Sequence, residues 1–324
     1  SAIMYKGFAE QLNFDVKNGD SVLIEATVSV YAVTGYNQLI VKNIEPDGLG
    51  SLFLKFENFE FYKYDITDSS IIDFIKNLNV DEIYNLACPA SPKYYLKYPI
   101  ETWEASVIGM RNLLQAINGT RIKMIHSSTS EVYGDALEYP QTENYWGNVN
   151  PIGVRACYDE GKRAAEALIY DYIRQYDVDV RVVRIFNTYG PKMNPLDGRI
   201  ISNFIMQALS NDDITIYGNG KQTRSFCFID DTVNCLIKLM NLDHKNETPI
   251  NVGNPYELSV GYVAEFIKER IGSSSQIVYL NEMSDDPKKR KPNISKAKKI
   301  IDWEPCVSFE DGIDATIDYF KNIE

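Results

Sequence analysis

A doubly wound α/β fold built on a parallel sheet is what this 324-residue sequence predicts, and three observations lead there. Short β-rich runs alternate with stretches of helical periodicity, a pattern that places helices on both faces of a sheet. Hydrophobic residues make up 44% of the chain and charged residues 24%, which suits a globular core and excludes a disordered or fibrous chain. The length is enough for one large domain or two intimate ones.

The elements follow in order. A first strand is expected at residues 21–25 (SVLIE) and a second at 39–42 (LIVK). The stretch between them is near the minimum of about a dozen residues for a parallel connection. Its β-branched residues make a poor helix, so the first strand–helix–strand unit is expected to be truncated. Further strands are expected at 59–66 (FEFYKYDI), 82–87 (EIYNLA), 123–127 (KMIHS) and 180–186 (VRVVRIF). In residues 101–117, Trp103, Val107, Met110, Leu114 and Ile117 recur every three or four positions and form one apolar stripe. Residues 156–175 repeat the pattern through Ala164, Leu168, Tyr172 and Ile173. After Phe186 the texture changes: 187–197 holds two prolines and a glycine and reads as loop. A helix at 201–209, a strand and turn at 214–220, a strand at 276–280 and an amphipathic helix at 311–321 complete the chain. The expected division is an extension at 1–20, a Rossmann-type nucleotide-binding domain at 21–188 and 225–249, and a smaller, interwoven substrate lobe at 189–224 and 250–324.

Charge and composition exclude several functions. With 33 basic against 45 acidic residues the net charge is −12, the wrong sign for general nucleic-acid binding. No apolar run approaches the roughly 20 residues that cross a bilayer, and the first residues do not read as a secretion signal. The five cysteines are odd in number and scattered, which argues against a disulfide framework and for a reducing, cytoplasmic compartment. His126 and His244 are the only histidines and neither sits among metal-ligand residues, so no metal is expected.

The strongest local signal is Tyr158 four residues before Lys162. On a helix these positions share a face, so phenol and ammonium can converge, and a nearby ammonium makes a phenolate easier to form. Thirty residues earlier, Ser127–Gly134 (SSTSEVYG) follows a buried-looking strand. Strand C-termini open into the ligand crevice of such folds, where the Thr129 hydroxyl can hold a substrate oxygen while Tyr158 exchanges its proton.

Long matching stretches then carry a resemblance. They are YNLACPASPKYY (84–95), STSEVYGD (128–135), NYWGNVNPIG (144–153), CYDEGKR (157–163), RIFNTYGP (184–191), DGRIISNFI (197–205), IYGNGKQTRSF (216–226) and KRKPNI (289–294). Over residues 84–305 the chain resembles the extended short-chain dehydrogenase/reductases, the NAD-dependent epimerase/dehydratase family of nucleotide sugars. Within that family it is most similar to the UDP-glucuronate decarboxylases. The resemblance implies NAD as cofactor, a UDP-sugar as substrate and a homodimer formed through the helices at 101–117 and 156–175. It makes Thr129, Tyr158 and Lys162 the catalytic set, joined by Ser130, Glu131 and Arg290. Dehydratases of the family carry Thr-Asp-Glu at the first of these places; Thr129-Ser130-Glu131 is the decarboxylase pattern, since a substrate losing carbon dioxide needs no acid for a departing hydroxide. By the same resemblance Tyr95, Asn187, Arg199, Tyr217, Arg224 and Arg290 face the substrate, with Tyr95 and Arg290 at the sugar carboxylate. Asp65, Ile66, Leu86 and Ala87, together with Tyr158 and Lys162, face the cofactor.

One end departs from the family. The glycine-rich turn that lets a backbone approach a pyrophosphate is missing between 21 and 42, Lys42 stands where an acidic ribose anchor is expected, and Ser106 replaces a usual asparagine. Two readings from different classes follow: an enzyme with a weakened nucleotide loop, or a nucleotide-sugar-binding protein that has lost NAD and its redox chemistry. A 4,6-dehydratase or an epimerase is a further alternative within the family.

Overall fold

The structure, a computed structural model, describes residues 60–245, 248–281 and 290–322 in full, and the backbone of three strands ahead of them. The chain divides into two compact units, 1–63 and 64–324. In the first unit β1 (Ala2–Met4), β2 (Val22–Val30) and β3 (Asn37–Pro46) form one sheet in the order β1–β3–β2. Both early strands therefore exist, but β2 and β3 run antiparallel, with Val30 opposite Asn37. The parallel crossover expected between them is corrected by strand length: β2 runs on through Thr27, Val28 and Val30, and only residues 31–36 remain to connect it. Lys42 lies in β3, where only the backbone is described.

In the second unit four strands lie parallel in the order β11–β6–β5–β4, from β4 (Glu82–Asn85), β5 (Lys123–Thr129), β6 (Asp179–Ile185) and β11 (Ile250–Val252). Side chains alternate across a strand, so neighbouring residues feed opposite cores. Met124 and Val182 pack on one face with Ile71, Leu114, Ala165 and Ile169. Ile125 and Val183 pack on the other with Cys235, Leu239, Ala297 and Trp303. The first face is covered by α1 (Ser70–Asn77), α4 (Met110–Ile117) and α5 (Ala156–Tyr176), the second by α7 (Ile229–Met240) and α9 (Ser295–Ile301). Two covered faces make the sheet doubly wound, as expected. A third core gathers where α6 (Ile200–Ser210), α8 (Val260–Ile271) and α10 (Phe309–Lys321) pack with Ile214, Ile216 and Phe228. No helix among the described residues is long and apolar enough to cross a membrane.

Two expected elements differ. Residues 60–66 form no strand: the Asp65 carboxylate takes the Thr67 N–H and the chain turns into α1. The helix expected over 101–117 is three pieces: α3 (Pro99–Glu104), a π turn (Ala105–Gly109) and α4. Trp103 accordingly leaves the buried face, being 41% exposed, while Thr102 and Ser106 are buried in place of Trp103 and Val107.

Polar bonds decide how α5 sits on this sheet. Arg184 of β6 grips the Glu166 carboxylate of α5 with both prongs, Nε to Oε1 at 3.0 Å and Nη2 to Oε2 at 2.7 Å. Ser128 of β5 donates to the same carboxylate. Arg184 Nη1 also donates to the Tyr133 hydroxyl at 3.0 Å, which in turn donates to Asn251 of β11 at 2.7 Å. A buried carboxylate stripped of its guanidinium leaves an uncompensated charge, a loss of about 3–5 kcal/mol. Arg184→Met should lower stability by about that amount, read as a shifted midpoint in urea at an unchanged slope. The double variant R184M/E166L should recover part of the loss.

Candidate active site

Between the C-terminal ends of the parallel strands and the core around Ile201, Phe204 and Ile216 lies a cavity of about 360 Å³. Strand ends meet there because every parallel strand presents its carboxyl end to the same edge. Thr129 closes β5, and its hydroxyl accepts the Glu131 N–H at 3.2 Å, turning the chain through residues 130–133. Gly134 follows at a φ of 60°, where an added Cβ would meet the Asn148 carbonyl at 2.1 Å. This tight turn sets Ser130 and Glu131 on the cavity wall.

On α5, Tyr158 and Lys162 are both buried and both face the cavity. Lys162 Nζ donates to the Ser127 carbonyl at 2.7 Å, and its ammonium lies 6.0 Å from the Tyr158 ring centre. Burial pushes the Tyr158 phenol above its ordinary range, with the Thr129 hydroxyl pulling the other way. The lowering expected from the neighbouring ammonium is outweighed by burial, so at neutral pH the phenol is the protonated acid. Burial likewise pulls the Lys162 ammonium down. Tyr95 stacks on Tyr158 with ring centres 5.1 Å apart, and its own hydroxyl has no hydrogen-bond partner among the described residues.

Glu131 is held from two sides. Arg290 Nη2 reaches Oε2 at 2.7 Å and Arg155 Nη2 reaches Oε1 at 2.8 Å. Burial alone would push this carboxyl up, but the two guanidiniums hold it below the usual carboxylate range. Arg155 escaped the sequence reading; the available signal was a cation three residues ahead of Tyr158, at the start of the same helix.

The remaining expected residues divide. Asn187, Arg199, Tyr217, Arg224 and Leu86 line the same cavity as Thr129 and Tyr158. Asp65, Ile66 and Ala87 are not on its wall. Ile66 packs against Gly109, and the Asn112 amide holds the Ile66 carbonyl at 2.9 Å. Cys88, unremarked in the sequence, lines the cavity and contacts the Ser106 hydroxyl at 3.3 Å. Of the basic run beginning at Lys288, that residue and Lys289 lie outside the described residues. No cluster of metal-ligating side chains is present among the described residues.

A dinucleotide fits this arrangement at one end. Buried Lys162 and Tyr158 at a strand mouth suit a nicotinamide riboside. The stretch 21–42, where a strand–glycine turn–helix would usually supply the pyrophosphate contacts, instead carries parts of the antiparallel strands β2 and β3.

Comparison with known proteins follows the same lines. UDP-glucuronic acid decarboxylase 1 of Xenopus tropicalis is 49% identical over 265 residues, 82% of this chain and 61% of that protein. UDP-glucuronic acid decarboxylase 3 of Arabidopsis thaliana is 50% identical over 256 residues, 79% of this chain and 72% of that protein. The chain thus spans less than two thirds of the Xenopus relative. Among solved structures, UDP-glucuronic acid 4-epimerase of Bacillus cereus, in complex with UDP-glucuronic acid and NAD, has a TM-score of 0.73 at 27% identity, covering 83% of this chain and 84% of its own. UDP-glucose 4-epimerase of Thermotoga maritima, with UDP-glucose, has a TM-score of 0.76 at 26% identity, covering 82% and 85%. The model of the GDP-mannose 4,6 dehydratase family matches residues 21–316, and the chain belongs to that family of extended short-chain dehydrogenase/reductases.

Proposed function

We propose that this protein is a UDP-glucuronate decarboxylase that uses NAD. The observation that carries the reading is the convergence of Arg290 and the ionised Glu131 on the cavity wall that also holds Thr129 and Tyr158. A guanidinium beside the proton-exchanging pair suits a sugar whose reacting end is a carboxylate. The relatives at about half identity are named for that reaction.

NAD, when bound, supplies the removal of a hydride at the sugar C4 and its return. The chain's own residues hold and move the protons. Tyr158 exchanges the C4 hydroxyl proton, Thr129 orients that oxygen, and the Lys162 ammonium keeps positive charge near the phenol. A carboxylate β to a carbonyl leaves as carbon dioxide, and its electron pair stays on the sugar until a proton reaches C5. Arg290 and Glu131 stand where that carboxylate leaves. Ser130 fits a site with no hydroxide to expel. On the wall of the same cavity, Tyr217 serves the uracil in this reading and Arg224 the diphosphate, with Asn187 and Arg199 also facing the substrate.

Exposure supports a homodimer. Ile100 and Trp103 of α3 are 63% and 41% exposed, an apolar face suited to a second copy related by a two-fold axis. The unpaired cysteines fit a reducing, cytoplasmic location. Light scattering should give twice the chain mass of 36.9 kDa at micromolar concentration.

The deciding assay is carbon dioxide release from UDP-glucuronate with added NAD. Tyr158→Phe should lower that rate by roughly 100-fold or more while leaving UDP affinity unchanged, because a lost proton carrier costs chemistry rather than binding. The missing glycine-rich turn between 21 and 42 bears on the cofactor. Losing two charge-assisted backbone contacts of about 1.5–3 kcal/mol each weakens binding by roughly two to four orders of magnitude. Purified protein should therefore carry little NAD, and turnover should need it added at high concentration. UDP binding without any release of carbon dioxide at saturating NAD would favour the nucleotide-sugar-binding reading instead.

A further inference from the structure

Behind the cavity wall, in the first turn of α5, lies a carboxyl group that the chemistry above leaves unused. Asp159 is 7% exposed and is not on the wall. Its Oδ1 has no hydrogen-bond partner among the described residues, and its Oδ2 stands 4.0 Å from Arg155 Nε, beyond a hydrogen bond. Arg155 itself reaches the wall, where Nη2 holds Glu131 and the guanidinium lies 5.9 Å from the Tyr95 ring centre. Two guanidiniums, Arg155 and Arg290, thus share one ionised carboxylate at the cavity, with a second carboxyl buried behind them. If Asp159 is neutral, the cluster has one positive charge to spare; if Asp159 is ionised, it has none.

We propose that Arg155 is a specificity-determining residue, seating the carboxylate of an acidic nucleotide sugar together with Arg290, and that Asp159 behind it sets the charge of that seat. The inference rests on the reading that the substrate carries a uronic acid. It goes further in naming the side chains that distinguish such a sugar from its neutral counterpart and the group that regulates them.

The groups facing Asp159 come from several elements. Glu131 lies in the turn after β5, Arg290 in the chain ahead of α9, and Tyr95 in α2 (Pro92–Tyr95); Arg155, Cys157 and Glu160 are its neighbours in sequence. Burial raises the Asp159 carboxyl, the charge of Glu131 raises it further, and the two guanidiniums oppose them, leaving it at about 7. The sign follows. Below that pH Asp159 is neutral and the seat is positive; above it Asp159 gains a negative charge and the seat loses its attraction for a carboxylate. A nucleotide sugar without a carboxylate should feel little of this change.

Calorimetric titration of the full-length chain with UDP, UDP-glucose and UDP-glucuronate at pH 6 and pH 8 tests the proposal without needing turnover. The unaltered protein should bind UDP-glucuronate several-fold more tightly at pH 6 than at pH 8, with UDP-glucose nearly level. Asp159→Asn should hold the tighter value at both pH values. Arg155→Gln should lose about 10- to 100-fold in UDP-glucuronate affinity, the worth of one charge-assisted contact, and little in UDP affinity. Arg155→Lys, which keeps the charge, should recover part of that loss. If the unaltered protein prefers UDP-glucuronate but R155Q weakens both sugars equally, or D159N keeps the pH difference, the seat is wrong and the substrate reading stands. If the unaltered protein binds UDP-glucose as well as UDP-glucuronate, the substrate reading fails and takes the seat with it. Should R155Q not fold, the D159N titration alone decides.

Discussion

Glu166 sits in α5 where a helix meeting a sheet would ordinarily carry an aliphatic side chain. Its carboxylate is taken by Arg184 with two prongs and by Ser128 with a third bond, so α5 is fastened to β6 and β5 at one point. A nonpolar contact at that place would tolerate sliding or rotation of the helix; a bidentate pair in a dry setting does not. One helical turn earlier is Lys162 and two turns earlier Tyr158, and on the strand that supplies Ser128 is Thr129. The meeting of phenol, ammonium and hydroxyl is therefore fixed by a bond none of them makes. The second unit's cores, on either side of the sheet, fill in around this join.

How much of this was legible in the sequence depends on what each residue does. The four-residue spacing of Tyr158 and Lys162 reads directly as one helical face, and the structure puts both on the cavity. Apolar periodicity was less reliable for the same helix. It pointed to Ala164 and Leu168, whereas the buried positions are Tyr158, Asp159, Gly161, Lys162, Ala165, Glu166 and Ile169. Three of those seven are Asp, Lys or Glu, and a count of hydrophobic residues cannot see a helix that turns its polar side inward. Arg184 and Arg181 hid in the same way inside an otherwise apolar strand. Arg181 is wholly buried and gives its hydrogen bonds to the carbonyls of Leu239, Met240 and Leu242 at the end of α7. Its meaning lies in a helix terminus nearly sixty residues away.

Strand existence was likewise easier to read than strand direction. Residues 21–25 and 39–42 are strand-like whichever way they pair, and both lie in strands. Direction depends on how many residues are left over for the connection, and that number depends on where β2 stops. Every residue added to the strand through Thr27, Val28 and Val30 shortens the link and favours a reversal of direction. A local carboxylate made the difference at 60–66: aromatic content suggested a strand, but Asp65 binds the backbone of Thr67 and bends the chain.

The π turn at Ala105–Gly109 holds one residue more than an α turn, and each residue of a helix advances it by about 100°. The two flanking helices are thus out of phase, and the buried positions are Thr102 before it, Ser106 and Gly109 within it, and Met110 and Leu114 after it. A single extra residue acts as a gear between two surfaces. It lets Ile100 and Trp103 turn outward while Leu114 and Ile117 stay in the core, although all four belong to one continuous stretch of chain. Lineages that lost or gained one residue here would exchange an outward apolar face for a buried one without changing the composition of the segment.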